Sequence, residues 1–173
     1  SDDRSFVAAL ENTVTCAVRG TEIIRGARPD AVFLQSDACE AFTPADADDP
    51  ASVAAATHLT ERGFLGFDLT YGRAPSARMR AWLLANGLSE ERLDWFLAHG
   101  SDAGAIVGLD YYAGNERRVT ATGAELPGAA FGLGALARAF HTRYGRPVML
   151  AETNRVSELA GDCSAEQEGQ KRL

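Results

Sequence analysis

The stretch Pro147-Val148-Met149-Leu150-Ala151 is an apolar run long enough for one buried strand, and the carboxylate of Glu152 follows it at once. Two similar runs occur earlier in the chain, at residues 31–34 and 105–109. All three runs are continuous rather than alternating, which is typical of strands covered on both faces in a parallel sheet. Because helical patterns separate them, the order strand, helix, strand, helix, strand predicts an α/β fold.

The segments around these runs carry helical signals. Asp2 or Asp3 can cap a first helix, because apolar residues recur from Phe6 to Ile24 at three- and four-residue spacing. This helix should end before Pro29. Further helices are predicted at residues 51–62, 76–85, 89–97 and 132–144. Loops are predicted at residues 43–50 and around 123–127, whereas residues 64–69 fit either a strand extension or a loop.

The composition narrows the classes of function. At 173 residues the chain favours one domain. Its formal net charge of -7, from 17 basic and 24 acidic residues, argues against nucleic acid and anionic membranes as partners. No apolar stretch approaches the length of a membrane span, and no signal peptide is evident. Cys16, Cys39 and Cys163 are far apart and odd in number, so they indicate no disulfide framework, and a reducing cytoplasm is the expected location.

The two ends of the sequence differ from its body. The first residue is Ser1 rather than Met, which indicates a chain that is processed, engineered or cut from a longer one. The only lysine, Lys171, and two of the three glutamines fall in a final segment without apolar periodicity. We therefore predict one domain over residues 1–155 and a disordered or non-native tail over residues 156–173. An ordinary charged tail is the alternative.

Polar side chains follow each of the three apolar runs. The first run leads to Asp37 and Glu40, the second to Asp110, Tyr111 and Tyr112, and the third to Glu152 and Asn154. In a parallel sheet these ends lie at one edge, which is where barrels of alternating strands and helices carry their catalytic residues. The alternative is that these acids cap helices or face water, and for Asp37 alone that alternative is favoured.

Other motifs in the sequence are weaker. Residues 132–137 formally match a dinucleotide-binding fingerprint, but a proline-containing loop precedes them instead of a strand, so helix packing explains their glycines better. An acidic loop at residues 46–49 lacks the glycine and terminal glutamate of a calcium loop. The three histidines show no metal-binding spacing. The sequence therefore indicates no metal site and no cofactor.

Two motifs resemble those of a known family. Gly108-Leu109-Asp110-Tyr111-Tyr112 resembles the Gly-Leu/Ile-Asn-Tyr-Tyr motif of family 1 glycoside hydrolases, the β-glucosidase family. Residues 148–154, Val-Met-Leu-Ala-Glu-Thr-Asn, resemble the strand of that family that ends in Thr-Glu-Asn-Gly. The order and spacing of the two motifs also fit, and the resemblance extends over residues 6–154.

The resemblance implies roles for several residues. Glu152 would be the nucleophile of a retaining glycosidase, and Tyr112 would orient it through a hydrogen bond. Asp110 stands where the family has an asparagine that helps to bind the sugar. Asn154 and Glu40, at two of the three strand ends, are the remaining predicted substrate-binding residues. The expected ligand is a carbohydrate or glycoside.

The chain also departs from the family pattern. Thr153 and Asn154 replace Asn and Gly, and a second carboxylate at Asp110 would raise the pKa of one of the two acids unless Asp110 turns away from Glu152. The Asn-Glu-Pro motif that carries the general acid/base of the family is absent. Asn115-Glu116-Arg117 lacks its proline and follows the wrong strand.

The matched region corresponds to the fifth, sixth and seventh strand-helix units of a (β/α)8 barrel. Three of eight strands cannot close a barrel, so both sheet edges should expose backbone and apolar surface. We therefore expect a divergent, partial TIM barrel that carries the nucleophile, lacks the acid/base and is inactive without the remainder of the barrel as its partner. A non-catalytic carbohydrate-binding relative and a standalone α/β domain are the alternatives.

Overall fold

A computed structural model describes residues 2–128 and 132–153 of the chain. Its helices are α1 (Asp3–Ala27), α2 (Pro50–Gly63), α3 (Leu65–Thr70), α4 (Ala77–Ala85), α5 (Glu90–His99) and α6 (Leu133–Tyr144). Its strands are β1 (Phe33–Ala38), β2 (Ala41–Pro44), β3 (Ala105–Asp110), β4 (Glu116–Val119), β5 (Glu125–Pro127) and β6 (Val148–Glu152). A short 3-10 turn, Ala113–Asn115, precedes β4.

The main sheet is a parallel three-stranded sheet in the order β1-β3-β6. Each strand is reached from the previous one through helices, which is the connection that parallel strands require. The predicted α/β class and the parallel pairing of the three apolar runs are therefore confirmed. The sheet is open, as expected of part of a barrel.

The two faces of this sheet differ in their cover. Val107 and Leu109 of β3 pack against Phe67 of α3 and against Phe140 and Tyr144 of α6. The alternate residues of β3 point to the opposite face, which would be the inner face of a barrel. Among the described residues, the helices α3 and α6 cover the face that carries Val107 and Leu109.

The apolar runs predicted that all three strands would be buried on both faces, and this prediction is wrong for the outer strands β1 and β6. Leu34 of β1 and Met149 of β6 remain 48% and 42% exposed. Leu150 of β6 pairs with Leu109 and so lies on the face that the helices cover, and it is 44% exposed as well. The outer strands therefore leave apolar side chains exposed on both faces, which agrees with the expected apolar surface at the sheet edges.

A second core lies between α1 and the helices α3, α4 and α5. Val7, Val14 and Val18 of α1 are buried there, together with leucines of α3 and α5. The N-terminus of α1 is capped as predicted, because the Asp2 carboxylate accepts a hydrogen bond from the backbone N–H of Ser5 at 2.7 Å. This core attaches the long first helix to the rest of the chain.

Three local predictions are corrected by the structure. Residues 64–69 form neither strand nor loop, because 65–70 are the buried helix α3. The first strand lies at 33–38 rather than 31–34, because its pairing with β3 begins at Phe33. A small second sheet occupies the predicted loops, with β2 parallel to β4 and β4 antiparallel to β5.

Two earlier predictions lie outside the described residues: the predicted substrate-binding residue Asn154 and the tail 156–173. The domain boundary at residue 155 remains a prediction for the same reason. Within residues 2–128 and 132–153, none of the helices has the length and apolar character needed to cross a membrane.

Candidate functional site

The carboxyl ends of the three parallel strands meet in register. Ala38 of β1 pairs with Asp110 of β3, and Asp110 pairs with Glu152 of β6. Two backbone hydrogen bonds continue the pairing beyond the strands, from the Cys39 N–H to the Asp110 carbonyl at 3.1 Å and from the Tyr111 N–H to the Glu152 carbonyl at 2.9 Å. The structure therefore brings the ends of the second and third runs together.

An irregularity in β6 sets the direction of Glu152. Leu109 pairs with Leu150, whereas Asp110 pairs with Glu152, so Ala151 is an extra residue in β6. Such bulges re-aim side chains at the ends of strands. Glu152 consequently lies opposite Asp110, at the open edge of the sheet.

The hydroxyl of Tyr112 donates a hydrogen bond to Oε1 of Glu152. The neutral phenol is stabilised by this bond, and the phenolate would be repelled by the carboxylates of Glu152 and Asp110. Together with slight desolvation, these effects raise the pKa of Tyr112 to about 12. At neutral pH the phenol therefore stays protonated and serves as a fixed donor to one oxygen of Glu152.

The Asp110 carboxylate is hydrogen-bonded on the β1 side of the sheet, whereas Glu152 lies on β6. Oδ1 of Asp110 accepts a hydrogen bond from the hydroxyl of Ser36 on β1. Gly108 allows this approach, because a Cβ at that position would lie 2.9 Å from both the Gln35 carbonyl oxygen and the Ser36 Cβ. The two carboxylates thus have different donors, Ser36 for Asp110 and Tyr112 for Glu152.

The acids after the first strand lie elsewhere. Asp37 faces helix α3, since its Oδ2 is 3.2 Å from where a Cβ of Gly66 would stand. Partial desolvation there raises the pKa of Asp37, a hydrogen bond from the Ala38 N–H opposes the effect, and repulsion from Asp110 adds to the rise. Glu40 lies beyond the strand, in the lining of a groove beside α1. Partial desolvation also raises its pKa, and repulsion from Glu125 adds to this.

Glu116 is a polar residue whose position the sequence did not reveal. It is 8% exposed, and its Oε1 accepts hydrogen bonds from the Tyr111 hydroxyl and from the Gly132 backbone N–H. Its backbone carbonyl also accepts a bond from the Gly128 N–H at 2.8 Å. The hydroxyls of Tyr111 and Tyr112 therefore donate hydrogen bonds to two different glutamates, Glu116 and Glu152. The contacts of Glu116 also connect β4 to the start of α6.

The chain resembles solved structures in its fold alone. No protein-family model matches the sequence, and no curated protein matches it either. The complex of the virulence factor SghA with its substrate analog salicin superposes with a TM-score of 0.68 and 19% identity, over 96% of this chain and 41% of that one. A second structure of SghA, from Agrobacterium tumefaciens, superposes with a TM-score of 0.65 and 21% identity, over 91% and 40% of the two chains.

The chain spans about two fifths of the length of these two structures. Together with the open parallel sheet, this coverage identifies the fold as part of a (β/α)8 barrel. The predicted fold class is confirmed.

Proposed function

We propose that this chain is the nucleophile-bearing part of a retaining glycosidase that hydrolyses O-glycosidic bonds, with Glu152 as the nucleophile. The observation that carries the proposal is the hydrogen bond from the Tyr112 hydroxyl to Glu152 at the carboxyl end of a parallel sheet. This edge is where barrels of this class place their catalytic groups. The motifs that resemble family 1 glycoside hydrolases assign the same two residues to the same two roles.

The geometry suggests how the first step would proceed. Tyr112 occupies Oε1, so attack on the anomeric carbon falls to Oε2 of Glu152. The new carbon–oxygen bond forms as the bond to the leaving-group oxygen breaks, which gives a covalent glycosyl-enzyme that water then hydrolyses. The Tyr112 hydrogen bond holds the carboxylate in position before the attack and stays with the ester oxygen afterwards.

The proposed substrate is a β-glycoside. The neighbour SghA has been solved with its substrate analog salicin, which supports a glycoside ligand. Asp110 lies beside Glu152 and is the first candidate for contact with sugar hydroxyls. Asn154 and Glu40 are kept as further candidates, Asn154 because it follows the same strand end and Glu40 because it lies past the end of β1.

The second part of the proposal concerns the general acid, which we propose this chain does not supply. Asp110 accepts a bond from Ser36, and Glu116 is buried in contacts with Tyr111 and Gly132. Glu116 is thus held away from Glu152, and the Asn-Glu-Pro motif that carries the general acid/base of the family is absent from the sequence. We therefore propose that the acid/base comes from the remainder of the barrel, and that this chain alone does not turn over glycosides with poor leaving groups.

Covalent labelling tests the role of Glu152. A 2-deoxy-2-fluoro-β-glucoside with a dinitrophenolate leaving group requires no acid to react, and its glycosyl-enzyme is hydrolysed slowly. We expect one hexosyl adduct per chain, located at Glu152 by peptide mass spectrometry. The adduct should disappear in Glu152→Gln and persist in Glu90→Gln, which removes an exposed carboxylate of α5.

Two outcomes would contradict the proposal. Equal modification of Glu152 and other exposed carboxylates, or none at Glu152, would exclude it as an activated nucleophile. Saturable binding of salicin without any adduct would favour the non-catalytic carbohydrate-binding alternative. Efficient hydrolysis of salicin by the 173-residue chain would contradict the missing acid.

A further inference from the structure

Tyr112 reaches Glu152 from a loop rather than from a strand. It lies beyond the end of β3, and the 3-10 turn Ala113–Asn115 follows it directly. Within this loop the Asn115 N–H donates to the Tyr112 carbonyl at 2.8 Å. The Tyr112 side chain belongs to neither of the two cores that the described residues form. The position of its hydroxyl therefore depends on how firmly the loop is held.

The neighbouring residue, Tyr111, is held on the other face of the sheet. Side chains of an extended chain alternate between the two faces, so Tyr111 continues the side of Leu109. It packs against the core that contains Phe67 and Phe140. Its hydroxyl donates a hydrogen bond to Oε1 of Glu116. Packing of the ring together with bonding of the hydroxyl fixes both the position and the orientation of a tyrosine.

Glu116 is in turn held at the start of helix α6. The Gly132 N–H donates to the same Oε1 that accepts the Tyr111 hydroxyl. Gly132 is the N-cap residue of α6 and offers no capping side chain, so the Glu116 carboxylate takes that place, where the helix dipole favours a negative charge. The glycine admits this contact, because an added Cβ would lie 3.1 Å from Oε1.

The bond between Tyr111 and Glu116 closes the loop that carries Tyr112. Residues 112–115 lie between its two ends. A short loop whose ends are joined has little conformational freedom. One end continues β3, and the other is attached to α6, which packs against the main sheet. Because two donors share one oxygen of Glu116, loss of either bond also weakens the support of the other.

We propose that Glu116 is a positioning residue for the proposed nucleophile: through Tyr111 it holds the loop that places the Tyr112 hydroxyl on Oε1 of Glu152. Glu116 acts through these two tyrosines and forms no bond to the sugar. The inference rests on the function proposed for Glu152, but the placement of Tyr112 is measured without any substrate. It gives a role to a glutamate that stands outside an Asn-Glu-Pro motif.

The pKa of Tyr112 reports whether its hydroxyl stays on Glu152. The hydrogen bond to Glu152, slight desolvation and repulsion from the carboxylates of Glu152 and Asp110 raise this pKa to about 12, so displacement of the phenol lowers it towards 10. We expect Tyr111→Phe and Glu116→Ala to lower it in an NMR titration of labelled tyrosine. Glu116→Gln keeps an oxygen that accepts both bonds, so it should retain a pKa of about 12.

Tyr144→Phe is the matched control. The Tyr144 hydroxyl donates to Asp68 at 3.0 Å, and its ring lies in the core against which Tyr111 packs. The variant therefore removes a tyrosine hydroxyl from a buried carboxylate elsewhere and should leave the pKa of Tyr112 unchanged. Urea unfolding of each variant separates lost stability from the effect on Tyr112. If Glu116→Ala does not fold, the comparison of Tyr111→Phe with Tyr144→Phe decides.

Three results would overturn the inference. A Tyr112 pKa that stays at about 12 in Tyr111→Phe would mean that the loop is held without Glu116. An equal fall in Tyr144→Phe would mean that general loss of stability displaces Tyr112. A fall in Glu116→Gln as large as in Glu116→Ala would mean that the charge of Glu116 acts and not its bonds.

The covalent labelling of Glu152 is scored separately from this titration. Absence of the adduct in the original chain, with a Tyr112 pKa that responds to Tyr111→Phe, would refute the nucleophile and support the loop contact. An adduct at Glu152, with a Tyr112 pKa that ignores Tyr111→Phe and Glu116→Ala, would support the nucleophile and refute the role of Glu116.

Discussion

Removal of the Asp68 carboxylate is expected to cost much more stability than removal of a similar surface carboxylate. Asp68 is 1% exposed in α3. Its two oxygens accept bonds from Arg143 at 2.9 and 2.5 Å, and Oδ1 also accepts one from the Tyr144 hydroxyl at 3.0 Å. These contacts tie α3 to α6 on the helix-covered side of the main sheet.

Breaking a buried ion pair by removal of one partner costs about 3–5 kcal/mol, because the other charge stays buried without compensation. The Arg143 side chain is 27% exposed and can regain some hydration when its partner is removed. Asp68→Ala should therefore lower the free energy of unfolding by about 3 kcal/mol. The free energy of unfolding is measured by urea denaturation, followed by tryptophan fluorescence.

The matched control is Asp102→Ala. Arg146 contacts Asp102 with the same paired geometry, at 2.9 and 2.7 Å, but the two side chains are 35% and 39% exposed. An exposed pair contributes at most about 1 kcal/mol. If both variants lost the same stability, or if Asp68→Ala lost less than about 1 kcal/mol, the reasoning from burial would be refuted.

Three further predictions concern the sheet and its ends. Glu152→Gln should lower the pKa of Tyr112 from about 12 towards its ordinary value of 10, because the carboxylate that accepts its hydrogen bond and repels its phenolate is lost. NMR titration of labelled tyrosine measures this pKa, and an unchanged pKa would exclude the hydrogen bond. Gly108→Ala should lower the free energy of unfolding in urea by about 2 kcal/mol, because the added Cβ would meet the backbone of β1. Gly20→Ala, where the added Cβ on α1 meets no other atom, should not lower it. Equal effects of the two substitutions would contradict the close approach of Gly108 to β1. The raised pKa of Asp37 means that folding favours its protonated form, and this stabilisation is lost as the pH rises through the folded pKa. Asp37→Asn should therefore raise the Tm near neutral pH but not below the ordinary pKa of 3.8. An equal change in Tm at both pH values would refute the desolvation of Asp37.

The elements that could be predicted from the sequence are those whose signals are local. The run at 105–109 became β3, and its residues Val107 and Leu109 are buried in the core that α3 and α6 form with the sheet. Helix α1 begins at its predicted cap and ends at Ala27, before the predicted limit at Pro29. The convergence of Asp110 and Glu152 followed from one inference, that the sheet is parallel.

Helix α3 could not be predicted because its residues contact two separate cores. Leu65 and Leu69 pack with α1 and α5, whereas Phe67 packs against the main sheet. Asp68 is buried between them and is paired with Arg143 of α6. A six-residue segment that is apolar on both sides has no helical pattern of its own, and only the surrounding packing makes it a helix.

The small second sheet and the position of Asp37 depend on long-range pairing. Strand β4 carries Glu116 and two arginines, so its composition does not indicate a strand, and it forms because β2 lies beside it. Asp37 was expected at a strand end, but β1 continues to Ala38. Since strand residues alternate between faces, Asp37 points to α3 while Ser36 points to Asp110.

Asp110 and Glu152 stand opposite each other on adjacent strands, and their donors keep their roles apart. Each carboxylate has a hydrogen-bond partner of its own. Ser36 supplies that partner on the β1 side and Tyr112 supplies it on the β6 side. Under the proposed mechanism these separate donors leave Oε2 of Glu152 free for the attack, and the general acid is the part of the mechanism that we propose comes from the remainder of the barrel.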